Sequence, residues 1–149
     1  MHTLSQEDRD FLEAFEACQI APGDFTHRAH LRLAYCYLAE EDAERAVTRF
    51  REALGRFLHH NVIDPSKYSE TLTKAWILAV HHFMHSCGGT GSAEAFLSKS
   101  SRLLDAKIML VHYTKDVLFS AAARAQFVEP NLSPIPRHES VSTVAQRGR

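Results

Sequence analysis

The sequence predicts an all-α fold, a single-domain bundle of six or seven helices around a central buried helix. Apolar residues recur at the helical period through most of the chain, and no segment shows the apolar–polar alternation that is typical of a strand. Capping residues and breaks that contain Gly or Pro divide these stripes into segments of helix length. With 149 residues, of which 45% are hydrophobic and 23% charged, the chain has the size and composition of one ordinary globular domain.

The first half of the chain contains three predicted helices, which cover residues 5–18, 26–38 and 43–59. Ser5, with Asp8 three residues later, is a typical N-cap with an acidic first turn. Either Asp24 or Thr26 caps the second helix. A short acidic link separates the second helix from the third, so we expect these two helices to be antiparallel neighbours.

The central helix is predicted from residues 66–67 to Ser86, because apolar residues occupy two of its faces. Further helices are predicted at 93–98, 103–111 and 114–124. The prolines and polar residues that follow predict an extended arm and a disordered tail. The expected boundaries are therefore 1–128 for the bundle and 129–149 for the Pro-rich arm and tail.

Charge and cysteine content exclude several classes of protein. The formal net charge of -1 gives no field that would favour nucleic acid or an anionic membrane. No apolar run approaches the ~18 residues of a membrane span, and the polar, acidic start does not resemble a signal peptide. Three cysteines without a Cys-x-x-Cys pair disfavour a disulfide framework and a zinc knuckle. We therefore expect a cytoplasmic protein that binds neither nucleic acid nor membrane.

The strongest functional signal is a pair of histidines on the second helix. The chain has 10 histidines, and a helical projection places His27 and His30 on the side that also carries Leu31, Ala34 and Leu38. A core-facing imidazole needs a partner, because an unpaired buried polar group costs several kcal/mol on the harsher transfer scales. Two such rings one turn apart predict a site.

Other residues are expected near this pair. Counting outward from the link between helices two and three places His60 close to His27, within about a turn. The central helix begins shortly afterwards, so Tyr68 and Glu70 should lie at the same end of the bundle. His27, His30, His60, Tyr68 and Glu70 are therefore the candidate site residues.

A second group of histidines lies farther along the central helix. His81, His82 and His85 are three to four turns from its start, or ~17–22 Å at 1.5 Å per residue. This distance keeps them out of the same site. We interpret His81 and His85 as solvated surface, and the His82-x-x-His85 spacing as a weak metal signal.

Three hypotheses account for the predicted site. In the first, His27, His30 and His60 bind zinc or iron, Glu70 is a further ligand or a general base, and Tyr68 orients a small-molecule substrate. In the second, the protein is a non-enzymatic helical module for a small acidic ligand or a protein partner, because two helix N-termini at one end suit an anion. In the third, the histidines only stabilise the core.

Two resemblances accompany these hypotheses. Residues 27–60 resemble a single tetratricopeptide-like hairpin, whose small and large positions are Leu33-Ala34, Tyr37, Ala46, Phe50 and Ala53. Phe25-Thr26-His27-Arg28-Ala29-His30, taken with Tyr68-Ser69-Glu70-Thr71-Leu72-Thr73, is similar to segments of small bacterial all-helical proteins of unassigned function. The Pro130–Pro136 arm leaves three roles open, which are a contact with a protein partner, a strap across the domain's own surface and a contact in a homodimer.

Overall fold

The computed structural model describes residues 1–138, and α-helices with short 3₁₀ segments are the regular structure of that part of the chain. The α-helices are α1 Gln6–Glu16, α2 His27–Glu40, α3 Ala43–His60, α4 Glu70–Ser86, α5 Ala93–Lys99, α6 Lys115–Leu118 and α7 Ala121–Ala125. The 3₁₀ segments are Pro22–Asp24, Pro65–Lys67, Ser101–Leu104 and Ala106–Val111. The predicted all-α class is thus confirmed. Within residues 1–138, every helix falls short of the length and apolar character that a bilayer crossing requires.

Helix α4 lies at the centre of the bundle and packs against α2, α3 and α7. Its residues Ala75, Ile77 and Val80 are fully buried, as expected for a helix that is covered on more than one face. Helices α2 and α3 also pack against each other. The three longest helices therefore bring the N-terminal ends of α2 and α4 close to the C-terminal half of α3.

One buried carboxylate joins the first helix to the rest of the bundle. Ser5 and Asp8 form a reciprocal capping box at the start of α1. The Asp8 carboxylate also accepts hydrogen bonds from the Ala93 backbone N–H at 2.9 Å and from Arg32 Nε at 3.1 Å. Because Asp8 is only 1% exposed, these two donors and the Ser5 N–H of the capping box supply the partners that a buried charge requires.

Three of the predicted helices differ from those observed, because local side chains redirect the backbone. Residues 65–67 form a 3₁₀ turn, and Ser69 caps α4 by accepting a hydrogen bond from the Leu72 N–H. The predicted helix over 103–111 is a pair of 3₁₀ segments, the second capped by Asp105. The predicted helix over 114–124 is divided into α6 and α7, where Ser120 caps α7. Asp and Ser side chains compete for backbone N–H groups in this way and favour caps over helix interiors.

The Pro-rich arm, as far as residue 138, packs against the bundle. The Leu132 backbone N–H donates to the His112 carbonyl oxygen at 2.9 Å, and the Ser133 N–H donates to the Val111 carbonyl oxygen at 3.3 Å. Farther along, Ile135 is only 5% exposed. The arm is therefore a strap across its own domain. The predicted tail of residues 139–149 lies outside the described residues.

Candidate functional site

A cavity of about 300 Å³ lies where α2 and α4 begin. Aromatic and aliphatic side chains form most of its wall, and polar side chains from the two helix starts converge on it. The lining residues are Phe25, Thr26, His27, His30, Leu54, Phe57, Leu58, Lys67, Tyr68, Ser69, Leu72, Thr73 and Trp76. We call this space the inner cavity. It brings together three of the five predicted site residues, which are His27, His30 and Tyr68.

His27 has a structural partner on another part of the chain. Its Nε2 donates a hydrogen bond to the Leu103 carbonyl oxygen at 2.9 Å. Since a carbonyl only accepts, Nε2 is the nitrogen that carries a proton. The ring also packs edge-on against Trp76, with a centroid separation of 4.8 Å. His27 therefore ties α2 to the Ser101–Leu104 segment and to α4.

His30 differs from its neighbour because it faces the inner cavity. Its ring lies 5.3 Å from that of Phe25 and 4.8 Å from that of Phe50. Burial, with a smaller contribution from the charge of His27, lowers the pKa of His30 to about 4. The ring is consequently neutral near pH 7, with one nitrogen that can donate and one that can accept.

The His30 nitrogens are open to the cavity. We find no hydrogen bond from this ring to another residue within 1–138, although no fully buried side-chain nitrogen or oxygen there lacks a partner. An unbonded nitrogen must therefore touch accessible space, and the space that His30 lines is the inner cavity. His30 is thus a polar group of the wall that is able to bind a ligand.

Glu70 faces away from the inner cavity and is already paired. Arg51 binds its carboxylate through two hydrogen bonds, at 3.0 Å from Nε and 2.7 Å from Nη2. The Tyr68 hydroxyl donates to the same carboxylate at 2.5 Å. The hydrogen bond from Arg51 is the main cause that keeps the pKa of Glu70 below its ordinary value, although burial opposes it. The predicted roles of Glu70 and Tyr68 in catalysis stay predictions.

The metal hypothesis is wrong. Among residues 1–138 there is no group of three or more His, Cys, Asp or Glu side chains that could hold a metal ion. His60 is exposed at the end of α3 and does not line the inner cavity, while the Nε2 of His27 is occupied by a backbone carbonyl. Counting residues from the link between α2 and α3 placed His60 at the correct end of the bundle, but it did not predict the direction of the side chain.

A second cavity, which the sequence did not suggest, lies beside the first. It has a volume of about 720 Å³ and is lined by Arg51, Gly55, Leu58, His59, Val62, Ile63, Asp64, Pro65 and Tyr68. We call it the outer groove. The sequence feature that could have indicated the outer groove is Val62. This apolar residue directly follows Asn61, the C-cap of α3, at a position where glycine is the usual residue.

The histidines of α4 form a cluster with His138 of the arm. His85 is exposed, as expected, whereas His81 is partly buried and does not fit the interpretation as solvated surface. His82 Nδ1 and His138 Nε2 are 2.9 Å apart, and the His138 ring stacks on His85 at 4.1 Å. His81 is partly buried, and its pKa falls to about 4 because of burial and then the nearby charges of His85 and His138. The partner that assembles this cluster comes from a position more than fifty residues away.

Comparison of the chain with protein-family models, curated proteins and solved structures yields no match.

Proposed function

We propose that this protein binds a small acid in the inner cavity, without a metal. The observation that supports this proposal is the charge of the cavity wall. Lys67 is the cationic residue of the lining, the helices α2 and α4 both begin there, and no carboxylate among the described residues lines it. Helix N-termini carry positive partial charge, so all three features favour a ligand anion.

The polar and apolar parts of the wall suit different parts of such a ligand. Lys67 and the first turns of α2 and α4 attract the carboxylate, and the neutral His30 ring supplies a hydrogen bond. Phe25, Phe57 and Trp76 surround the ligand's apolar body. A mostly apolar cavity of roughly 300 Å³ with a few convergent polar groups is typical of small-molecule sites.

The position of Glu70 favours a binding protein over an enzyme that uses this carboxylate as a general base. A general base has to reach the proton that it removes. Glu70 instead lies outside the inner cavity in a bidentate ion pair with Arg51. The Glu70 carboxylate therefore holds Tyr68 in the cavity wall and does not contact the ligand.

Benzoate and benzamide provide a direct test, because they have nearly the same shape and differ in charge. We expect benzoate to raise the midpoint of thermal unfolding and to shift the NMR signals of His30, whereas benzamide should do neither at the same concentration. Lys67→Met should weaken benzoate binding about fivefold, as expected for the loss of one charge contact of ~1 kcal/mol in a partly solvated site.

Lys99→Met is the matched control, since Lys99 is exposed and lies outside both cavities. It should leave benzoate binding unchanged. Equal binding of benzoate and benzamide would disprove recognition of an acid, and the absence of binding by benzoate and by short aliphatic acids would disprove the proposed function.

A further inference from the structure

The inner cavity and the outer groove share two wall residues, Leu58 and Tyr68. The two spaces, of about 300 and 720 Å³, therefore adjoin each other at these two side chains. Tyr68 is the larger of the two residues and comes immediately before the cap of α4. A change in its ring position would join the two spaces.

The position of the Tyr68 ring is set from outside the inner cavity. Its hydroxyl donates to Glu70 at 2.5 Å, and Arg51 fixes the same carboxylate through two further hydrogen bonds. Arg51 itself lines the outer groove. The arrangement holds Tyr68 as a partition by means of a hydrogen bond at one end of its ring.

The outer groove presents apolar surface that the described chain does not cover. Val62 at its rim is 92% exposed and has a φ of 54°. For a β-branched residue this left-handed conformation is strained, and such strain is concentrated at functional sites. Leu58, Ile63 and Pro65 extend the same apolar surface. The chemistry of this groove suits a hydrocarbon, whereas that of the inner cavity suits a carboxylate.

We propose that the outer groove is the subsite for the hydrocarbon tail of the acid, and that Tyr68 is the partition that limits ligand length. This inference depends on the proposed function, because the carboxylate has to be held in the inner cavity for the tail to pass Tyr68. The ligand class is a linear monocarboxylic acid that is longer than the inner cavity can hold.

The test compares the affinities of butanoate, hexanoate and octanoate, measured by isothermal titration calorimetry. We expect affinity to rise about fourfold for each CH₂ that enters the groove, the value expected for burial of one methylene group. Gly55→Leu should remove this rise while butanoate still binds. A Cβ on Gly55 meets no atom within 4 Å, so the added side chain fills the groove, and leucine is also the better helix former.

Two further variants make the result specific. Thr48→Leu adds the same side chain to an exposed position of α3 outside both cavities and should keep the dependence on chain length. Tyr68→Phe removes the hydrogen bond to Glu70, and we expect it to raise the ratio of octanoate to butanoate affinity severalfold.

The outcomes separate the two proposals. If butanoate binds and the same rise with chain length persists in Gly55→Leu, the tail lies elsewhere and the outer groove is not its subsite. If affinity does not depend on chain length in the wild type, the subsite is also disproved, and the small-acid site remains. If none of the acids binds, the proposed function fails and the subsite fails with it.

Discussion

Two histidine pairs, one near each end of α4, have the same sequence spacing but different environments. Near its start, His27 and His30 of α2 are three residues apart, and near its end His82 and His85 have the same spacing. His30 faces a cavity between aromatic rings, whereas the histidines of α4 are stacked against His138 of the arm. One end therefore leaves an imidazole open to a ligand, and at the other end the chain itself supplies the partner.

The difference shows that an i, i+3 histidine pair does not by itself indicate a metal. Within the first pair, His27 donates to a backbone carbonyl, and only His30 remains unbonded in the described chain. Both ends contain a histidine whose pKa is lowered to about 4, but burial among aromatic rings dominates for His30, and at His81 the charges of several neighbours add to burial. Burial is thus the main cause of the lowered pKa at both ends, and His81 differs in having more neighbouring charges.

The largest expected effect concerns stability in acid. The pKa of His30 is about 4 in the folded protein and near 6.5 ordinarily, so the unfolded chain takes up the proton first as the pH falls. His30 therefore contributes up to about 3 kcal/mol of unfolding free energy that is present above pH ~6.5 and lost as the pH falls to ~4. His30→Phe should remove this dependence, as measured by urea unfolding across that range.

His138→Phe separates the two ends in the same experiment. The charges of His85, His138 and His82 lower the pKa of His81, and that of Asp42 raises it. His138→Phe removes one of the three that lower it. We expect it to reduce the part of the acid sensitivity that belongs to His81 and to leave that of His30 intact. An unchanged pH dependence in His30→Phe would show that His30 does not titrate as its surroundings indicate.

The next effect concerns the structural role of His27. His27→Ala leaves the Leu103 carbonyl without its donor and removes the edge contact with Trp76, which should cost about 2 kcal/mol. The loss should be the same in zinc and in EDTA, as measured by denaturant unfolding. His85→Ala, a change of an exposed residue, is the matched control and should cost less than about 0.5 kcal/mol. Stabilisation of the wild type by zinc that is absent in His27→Ala would restore a metal role.

The smallest effect concerns the way in which the arm is held. His138→Phe keeps a stacking ring and loses the hydrogen bond to His82, so the free energy of unfolding at pH 7 should change by less than about 0.5 kcal/mol. Ile135→Ala removes a buried side chain from the same arm and should cost clearly more. Hydrogen exchange of the Val128 and Leu132 amides measures directly how firmly the arm is attached to the bundle. Faster exchange in His138→Phe than in Ile135→Ala would make the histidine stack the main attachment.

Part of the candidate site was predictable from local pattern alone. The helical period places His27 and His30 on one face, and the short link between helices two and three brings that face to the start of α4. Tyr68 was expected there and lines the cavity. His60 and Glu70 were expected there too, but α3 presents His60 to solvent and Arg51 of the same helix holds Glu70 outside the cavity.

Local sequence patterns are enough to predict the helices that have a strong apolar period and a clear cap, because both depend on interactions between residues within four positions of each other. They also predict the end of the bundle at which the polar groups gather. The tertiary structure alone decided what each imidazole meets: Leu103 for His27, the aromatic ring of Phe50 for His30, and His138 for the histidines of α4. Since these partners lie far apart in the chain, their choice depends on how the helices pack, which local patterns do not encode.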